Sequence, residues 1–390
     1  MSAGIYVHIP FCKSRCSYCD FATDVYRDSG PVQEYVEALC REIGNPKNPL
    51  ANAGGSACDT IYIGGGTPSL LEPKQIEQIL EAVKSIFTIS DEAEITLEMN
   101  PATVSAENLA EYRSLGVNRA SFGVQTFNDR HLKLLARGHD ANDARKTYKL
   151  LRATGFENIS FDLIAGLPGQ TIDDWKRNLD EAVAMDPEHL SLYLLEIHEG
   201  TPLAEQVRSR RRPMPDDDLA AEMYELMIDR LQGAGYEQYE ISNFAKPGFE
   251  SRHNTKYWRL DPVYGFGVSA HSFDGVQRYS NDRDTAEYVR RIETSGSAEV
   301  NRETIDTASE FVFLGLRLNA GIDLNCFRDQ FGVDLEREHG SEFDRFREAG
   351  LLEITEGKLR LTRKGMLFSN EVFQAFVSDR SAFSVAARAS

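Results

Sequence analysis

The chain is 390 residues long, 41% hydrophobic and 27% charged, with a formal net charge of -18. That length exceeds one average core, so a large domain and at least one smaller one are expected, and the acidity argues against broad binding to nucleic acid or anionic lipid. Six cysteines do not make a dense disulfide framework, the first residues carry no charged leader before an apolar run, and no stretch approaches the roughly 18 apolar residues of a membrane span, so a reducing cytoplasm is expected.

Six β-branched or aromatic runs read as buried strands in chain order: IYVHI from Ile5, TIYIGGG from Thr60, EITLEMNP from Glu94, RASFGVQ from Arg119, NISFDLIAGLP from Asn158 and HLSLYLLE from His189. Helical patterns lie between them. KQIEQILEAVKSIF, for example, sets Ile76, Ile79, Leu80, Val83 and Phe87 at helical spacing. The loop NPKNPLANAGGSACD from Asn45 breaks the first crossover with turn formers.

Strand–helix alternation implies parallel strands, either doubly wound or in a barrel. The polar residues decide between them. Cys12 follows the first strand and Gly64 to Pro68 the second; Glu98 ends the third, Gln125 ends the fourth and Asp162 lies on the fifth. Functional groups at successive C-terminal strand ends are what the active face of a barrel requires. Six units rather than eight predict an α/β fold built on an incomplete (β/α)6 parallel barrel over residues 1–207.

Residues 208–304 read as a linker and a mixed segment. The linker holds the basic run RSRRRP from Arg208, read as a solvated connector, and PDDD from Pro215, an acidic helix start. The mixed segment holds HNTKYW from His253 and YGFGVSAHS from Tyr264. Over 305–390, three helical patterns precede LLEITEGKLRLT, a hairpin turning at Glu356-Gly357. This predicts a smaller winged-helix-like C-terminal domain, and the acidic balance makes it a lid or docking module rather than a DNA reader.

Cys12, Cys16 and Cys19 crowd into eight residues with Cys-x3-Cys-x2-Cys spacing. Three thiolates on one loop suit a four-iron cube with one iron left open, whereas structural zinc sites want four ligands in paired spacing. Cys40, Cys58 and Cys326 are isolated and read as buried or incidental thiols.

YVHIPFCKSRCSYC, from Tyr6 to Cys19, resembles the radical S-adenosylmethionine superfamily. With GGGTPS from Gly64, GVQTFN from Gly123 and DLIAGLPGQT from Asp162, nearly the whole chain is similar to the branch containing oxygen-independent coproporphyrinogen III oxidase and its heme-chaperone relatives. The resemblance implies a [4Fe-4S] cluster on Cys12, Cys16 and Cys19 and S-adenosylmethionine chelated at the open iron. In this superfamily one electron then yields a 5′-deoxyadenosyl radical. By motif match, Tyr6, Tyr18, Gly65, Gly66, Thr67, Glu98, Gln125, Arg137 and Asp162 surround S-adenosylmethionine. Arg137 suits the methionine carboxylate, the glycines suit close backbone approach, and Glu98, Gln125 and Asp162 suit hydroxyls or the ammonium.

Two departures separate the chain from the oxidase pattern. The oxidases read CxxxCxxCxC, where this chain has Phe21, and they carry an N-terminal extension, whereas here the first strand begins at once. HNTKYW, moreover, matches the HNxxYW signature of the heme-chaperone group. That match implies His253 as a heme ligand with Tyr257 and Trp258 stacked on the macrocycle. By residue chemistry alone, His253 reads as a hydrogen-bonded core or interface histidine. His271 is left unassigned.

The expectation is a cytoplasmic heme carrier with a [4Fe-4S] cluster, S-adenosylmethionine and heme, and with heme and acceptor hemoproteins as partners. No nucleic acid and no transmembrane segment are expected, membrane contact arises only peripherally through acceptors, and a homodimer is left open. The alternative is the oxidase activity itself. A radical enzyme acting on RNA ranks last.

Overall fold

The computed structural model describes residues 2–25, 29–45 and 57–376. Most of the loop from Asn45, and residues 377–390 of the expected C-terminal unit, lie outside the described residues.

The six expected strands form as β1 (Ala3–Ile9), β2 (Ala57–Gly65), β3 (Thr88–Met99), β4 (Arg119–Gln125), β5 (Asn158–Ala165) and β6 (His189–Leu194). They pair in parallel in chain order. This is the progression of a (β/α) barrel; a doubly wound sheet reverses direction at its switch point. The start of β3 lies six residues ahead of its apolar run because its first residues are polar and mostly exposed, so no alternation announces them.

Through the six apolar runs, inward and outward side chains alternate for most of each strand. Ile5, Val7 and Ile9 of β1, Ile61 and Ile63 of β2, Phe122 and Val124 of β4 and Phe161 and Leu163 of β5 enter one core with the helices Ser29–Ile43 and Pro73–Ile86. Burying each such side chain contributes about 1.5–3 kcal/mol. A slip of one residue would turn the whole row to the other face.

That other face is polar, and the register sets Tyr6 beside Tyr62, Thr60 beside Glu94, Glu98 beside Ser121 and Gly123 beside Asp162. Parallel strands covered on both sides usually read as unbroken apolar runs. Alternation with a polar inner row suits a lumen that receives a ligand.

The mixed segment lengthens this sheet at both edges. β7 (Glu237–Gln238) and β8 (Asn243–Ala245) add antiparallel strands beyond β6, while β9 (Val263–Phe266) pairs in parallel with β1. β10 (His271–Phe273), β11 (Gln277–Asn281) and β12 (Glu299–Thr304) follow, giving a mixed sheet of twelve strands among the described residues.

HNTKYW lies on the helix Arg252–Trp258, which sits against the N-terminal ends of β1 to β3. Ser251 caps it through Asn254 N–H, and the Glu94 carboxylate accepts from the backbone N–H of both Arg252 and His253 at 3.1 Å. Lys256 Nζ reaches Asp59 and the carbonyl of Ser2, each at 2.8 Å. Side chains on β2 and β3 thus tie this helix across the barrel floor.

The C-terminal unit has its own core, including Phe313, Phe327, Phe343, Phe346 and Leu359. The helices Thr307–Gly315, Leu324–Phe331 and Gly340–Glu348 precede β14 (Leu352–Thr355) and β15 (Lys358–Leu361), and a short β13 (Ile322–Asp323) completes a three-stranded sheet. Its hairpin turns at Glu356 and Gly357, with φ of 53° and 75°, as a tight primed turn demands. Trp258 belongs to this second core and lies under Arg317 at 4.2 Å, so the floor helix joins the two units. Among the described residues no helix is long and apolar enough to cross a membrane.

Replacing Glu94 with Ala leaves two helix N–H groups without their buried acceptor. Urea denaturation is expected to show a loss of about 1–3 kcal/mol; an unchanged midpoint and slope would contradict this account of the floor.

Candidate functional site

The site is built at the C-terminal ends of the strands. Directly after β1, the cysteine loop is pinned on two sides. His8 Nε2 donates to the Ala22 carbonyl at 2.9 Å and the Ser17 hydroxyl donates to the Leu134 carbonyl at 3.0 Å, while Leu203 N–H donates to the Ser17 carbonyl at 2.8 Å. With Nε2 the donor, Nδ1 of His8 accepts from the Tyr6 hydroxyl at 3.0 Å. Burial lowers the His8 pKa to about 4, so this ring works neutral.

Gly65 and Gly66 pack directly against this loop. Gly65 adopts φ +114°, and a Cβ there would lie 2.7 Å from the His8 ring; one on Gly66 would lie 2.8 Å from the Phe11 carbonyl oxygen. Any side chain would push the cysteine loop away from β2.

Three residues join two of the cysteines. Thr67 Oγ1 donates to Cys12 Sγ at 3.6 Å and accepts from Asn100 Nδ2 at 2.7 Å. Asn100 Oδ1 accepts from the Arg137 guanidinium at 2.6 Å, and the same guanidinium donates to Cys16 Sγ at 3.4 Å. Cys19 accepts from the backbone N–H of Phe21, whose ring is 53% exposed.

Burial pushes the Cys12 thiol up to about 11 and raises Cys19 as well. A bound iron charge inverts that preference. Among the described residues no group of three or more His, Cys, Asp or Glu side chains closes around one ion. A cubic cluster asks for something different, three thiolates each facing a separate iron. The half-buried cysteines on one pinned loop, with donors at their sulfurs, fit that group.

The remaining residues line the mouth of the lumen. Gln125 ends β4 in a left-handed conformation, φ 65°, where the pairing with β5 shifts register. Such strain in a non-glycine residue is typical of functional sites. Gly123 makes room, since a Cβ there would lie 2.5 Å from Gln125 Nε2 and 3.2 Å from Arg137.

Tyr18 is half-buried beside Arg137, Cys16 and Asp162. Both Glu98 oxygens are held, one by the Tyr62 hydroxyl at 2.6 Å and the other by Gly65 N–H at 2.9 Å. Burial nonetheless raises the Glu98 pKa. Burial and then the neighbouring Glu98 push Asp162 up to about 7, against a hydrogen bond from Ser191. Two carboxyls that resist ionisation side by side are matched to a cationic ligand, which relieves both.

The structure therefore gathers Tyr6, Cys12, Cys16, Tyr18, Cys19, Gly65, Gly66, Thr67, Glu98, Gln125, Arg137 and Asp162 at one mouth. It places His253 beneath them, with its ring centroid 6.5 Å from that of Tyr6. The His253 ring is 1% exposed in the barrel floor, with Nδ1 bonded to Thr60 Oγ1 at 2.9 Å and Nε2 to the Tyr257 hydroxyl at 3.2 Å. In this arrangement both ring nitrogens are engaged, so ligation of a heme iron there requires one of these bonds to break. Trp258 is likewise buried, while His271 is exposed at the start of β10.

Two residues escaped the sequence reading. Asn100 lies two places past Glu98 in the quoted EMNP, and only the pairing of strands reveals it as the link between Thr67 and Arg137. Arg119 opens β4, 1% exposed on the polar face, with Nε buried and without a hydrogen-bond partner. Its charge lowers both Glu98 and Asp162.

Residues 6–182 match the family model of the radical SAM superfamily, and residues 304–368 that of the HemN C-terminal domain. The chain is 38% identical over 378 residues to the heme chaperone HemW of Bacillus subtilis, spanning 96% of this chain and 99% of that protein. It is 33% identical over 381 residues to the heme chaperone HemW of Escherichia coli, spanning 96% and 98%. Among solved structures, coproporphyrinogen III oxidase (HemN) from Escherichia coli, a radical SAM enzyme, aligns with a TM-score of 0.84 at 25% identity, over 97% of this chain and 90% of that one. Fold, mouth and C-terminal domain together define a radical SAM protein of the HemN type. Within that class, the chain belongs to the HemW family.

Asp162 supplies a sign test. A carboxyl raised on folding stabilises the protein fully below its ordinary value of 3.8, and that contribution fades as pH rises through about 7. In cluster-free protein, Asp162→Asn is expected to exceed the wild type by about 1–3 kcal/mol above neutrality, with the gap closing in mild acid. Urea melts across this range check it, and a gap that widened in acid would contradict the burial argument.

Proposed function

We propose that this protein is a cytoplasmic heme carrier that binds heme and passes it to acceptor hemoproteins. The observation that carries this reading is the similarity, over almost the full length of both chains, to proteins named heme chaperone HemW. Phe21 adds to it, standing where the resembling oxidases have a further cysteine.

In this reading Cys12, Cys16 and Cys19 hold a [4Fe-4S] cluster. When bound, that cluster supplies an open iron for chelation and one electron at a time. Arg137 receives the methionine carboxylate of S-adenosylmethionine, and Glu98, Gln125 and Asp162 its ammonium and hydroxyls. Tyr6 and Tyr18 wall the site, and Gly65, Gly66 and Thr67 line it with backbone. In a carrier these groups gate heme release, and contact with a membrane comes only through the acceptors.

Anaerobically reconstituted protein is expected to take up heme in a saturable titration and to surrender it to an apo-hemoprotein. Replacing Cys12, Cys16 and Cys19 together with Ala is expected to reduce iron in the protein to background. Formation of protoporphyrinogen IX from coproporphyrinogen III, with reductant and S-adenosylmethionine, would overturn the carrier reading in favour of the oxidase.

A further inference from the structure

We infer that the histidine of HNTKYW is a positioning residue for the S-adenosylmethionine site: its ring props Tyr62, and Tyr62 fixes Glu98. The inference rests on the proposed role of Glu98 in binding S-adenosylmethionine.

The link runs up the polar face of β2. Thr60 and Tyr62 are two residues apart on one strand and point to the same side. Thr60 Oγ1 holds His253 Nδ1 at 2.9 Å, and the Tyr257 hydroxyl holds Nε2 at 3.2 Å. Two polar bonds therefore set the plane of the imidazole. The Tyr62 ring stacks on that plane, with centroids 5.2 Å apart and an interplanar angle of 28°. Tyr6 also stacks on Tyr62, at 6.2 Å and 26°. The Tyr62 hydroxyl then donates to Glu98 at 2.6 Å, and Gly65 N–H holds the other oxygen. Pinned at both oxygens, the carboxylate cannot turn, and its remaining lone pairs are left for a ligand.

The column has no slack to absorb a shift at its base. A Cβ on Gly4 would lie 2.9 Å from Thr60 Oγ1 and 3.3 Å from His253 Cε1. One on Gly64 would lie 2.7 Å from the Tyr62 ring and 3.0 Å from the Glu98 carboxylate. In close-packed interiors such contacts pass displacement on. Burial lowers the His253 pKa to about 3, so the neutral ring, with one donor and one acceptor, suits its two hydroxyl partners.

The experiment measures S-adenosylmethionine binding to anaerobically reconstituted protein by equilibrium dialysis, alongside cluster iron content. Tyr62→Phe removes only the hydroxyl, and His253→Phe keeps a ring but loses both bonds. Each is expected to weaken binding about tenfold at unchanged iron content. The double variant is expected to bind no more weakly than the worse single one, because both act through one contact.

Thr60→Val, which removes the Nδ1 partner and leaves the histidine in place, carries the same expectation and serves if His253→Phe does not fold. Unchanged binding in Tyr62→Phe or Thr60→Val, or additive losses in the double variant, would overturn the inference. Wild-type protein that holds its cluster but binds no S-adenosylmethionine would overturn the underlying reading as well, an outcome separate from wild-type binding that the variants leave intact.

Discussion

Everything in this protein depends on parallel strands that bury apolar side chains on one face and polar ones on the other. The apolar row supplies the driving force for the core. The polar row must then find partners inside the fold, because a buried donor or acceptor left alone costs about 1–3 kcal/mol. Several find them on neighbouring strands, as Ser160 does with His189 at 2.7 Å and Tyr62 with Glu98, or on segments that close the floor, as His189 does with Tyr239 at 2.8 Å and Thr60 with His253. Thr96 Oγ1 and Arg119 Nε remain buried without partners. The lumen is therefore a polar interior whose floor is built largely from side chains and whose mouth is left for ligands.

The mouth follows from the same geometry. Parallel strands in chain order bring five successive C-terminal ends together, although their residues are spread from Cys12 to Asp162. Arg137 comes from a loop beyond β4, yet it contacts Cys16, Asn100 and the carbonyl of Gly123. One guanidinium thus registers the cysteine loop against β3 and β4. The raised carboxyls of Glu98 and Asp162 belong to this crowding: burial disfavours the charge of both, Glu98 adds to the effect on Asp162, and the arginines limit the cost.

The floor helix connects this barrel to the rest of the chain. Its histidine faces Tyr62, its lysine pairs with Asp59, and its tryptophan enters the C-terminal core. One seven-residue helix therefore touches the base of the lumen and the winged-helix-like unit at once. The compact signature HNTKYW meets three separate packing demands on one short element.

The sequence by itself determined the period-two strands, the cysteine loop and the glycine turn after β2. These are local properties: alternation, spacing and backbone freedom are written within a few adjacent residues. The Glu356-Gly357 turn was legible for the same reason. Only the tertiary structure decided what depends on residues far apart meeting. Asn100 became the bridge between Thr67 and Arg137, and Arg119 became a buried charge beneath two carboxyls. His253 sits in the barrel floor, where Glu94 and Thr60, more than 150 positions earlier, hold its backbone and its ring. Residue type announces that a histidine can bind a metal; which partners already occupy its nitrogens is settled only by strand register and packing.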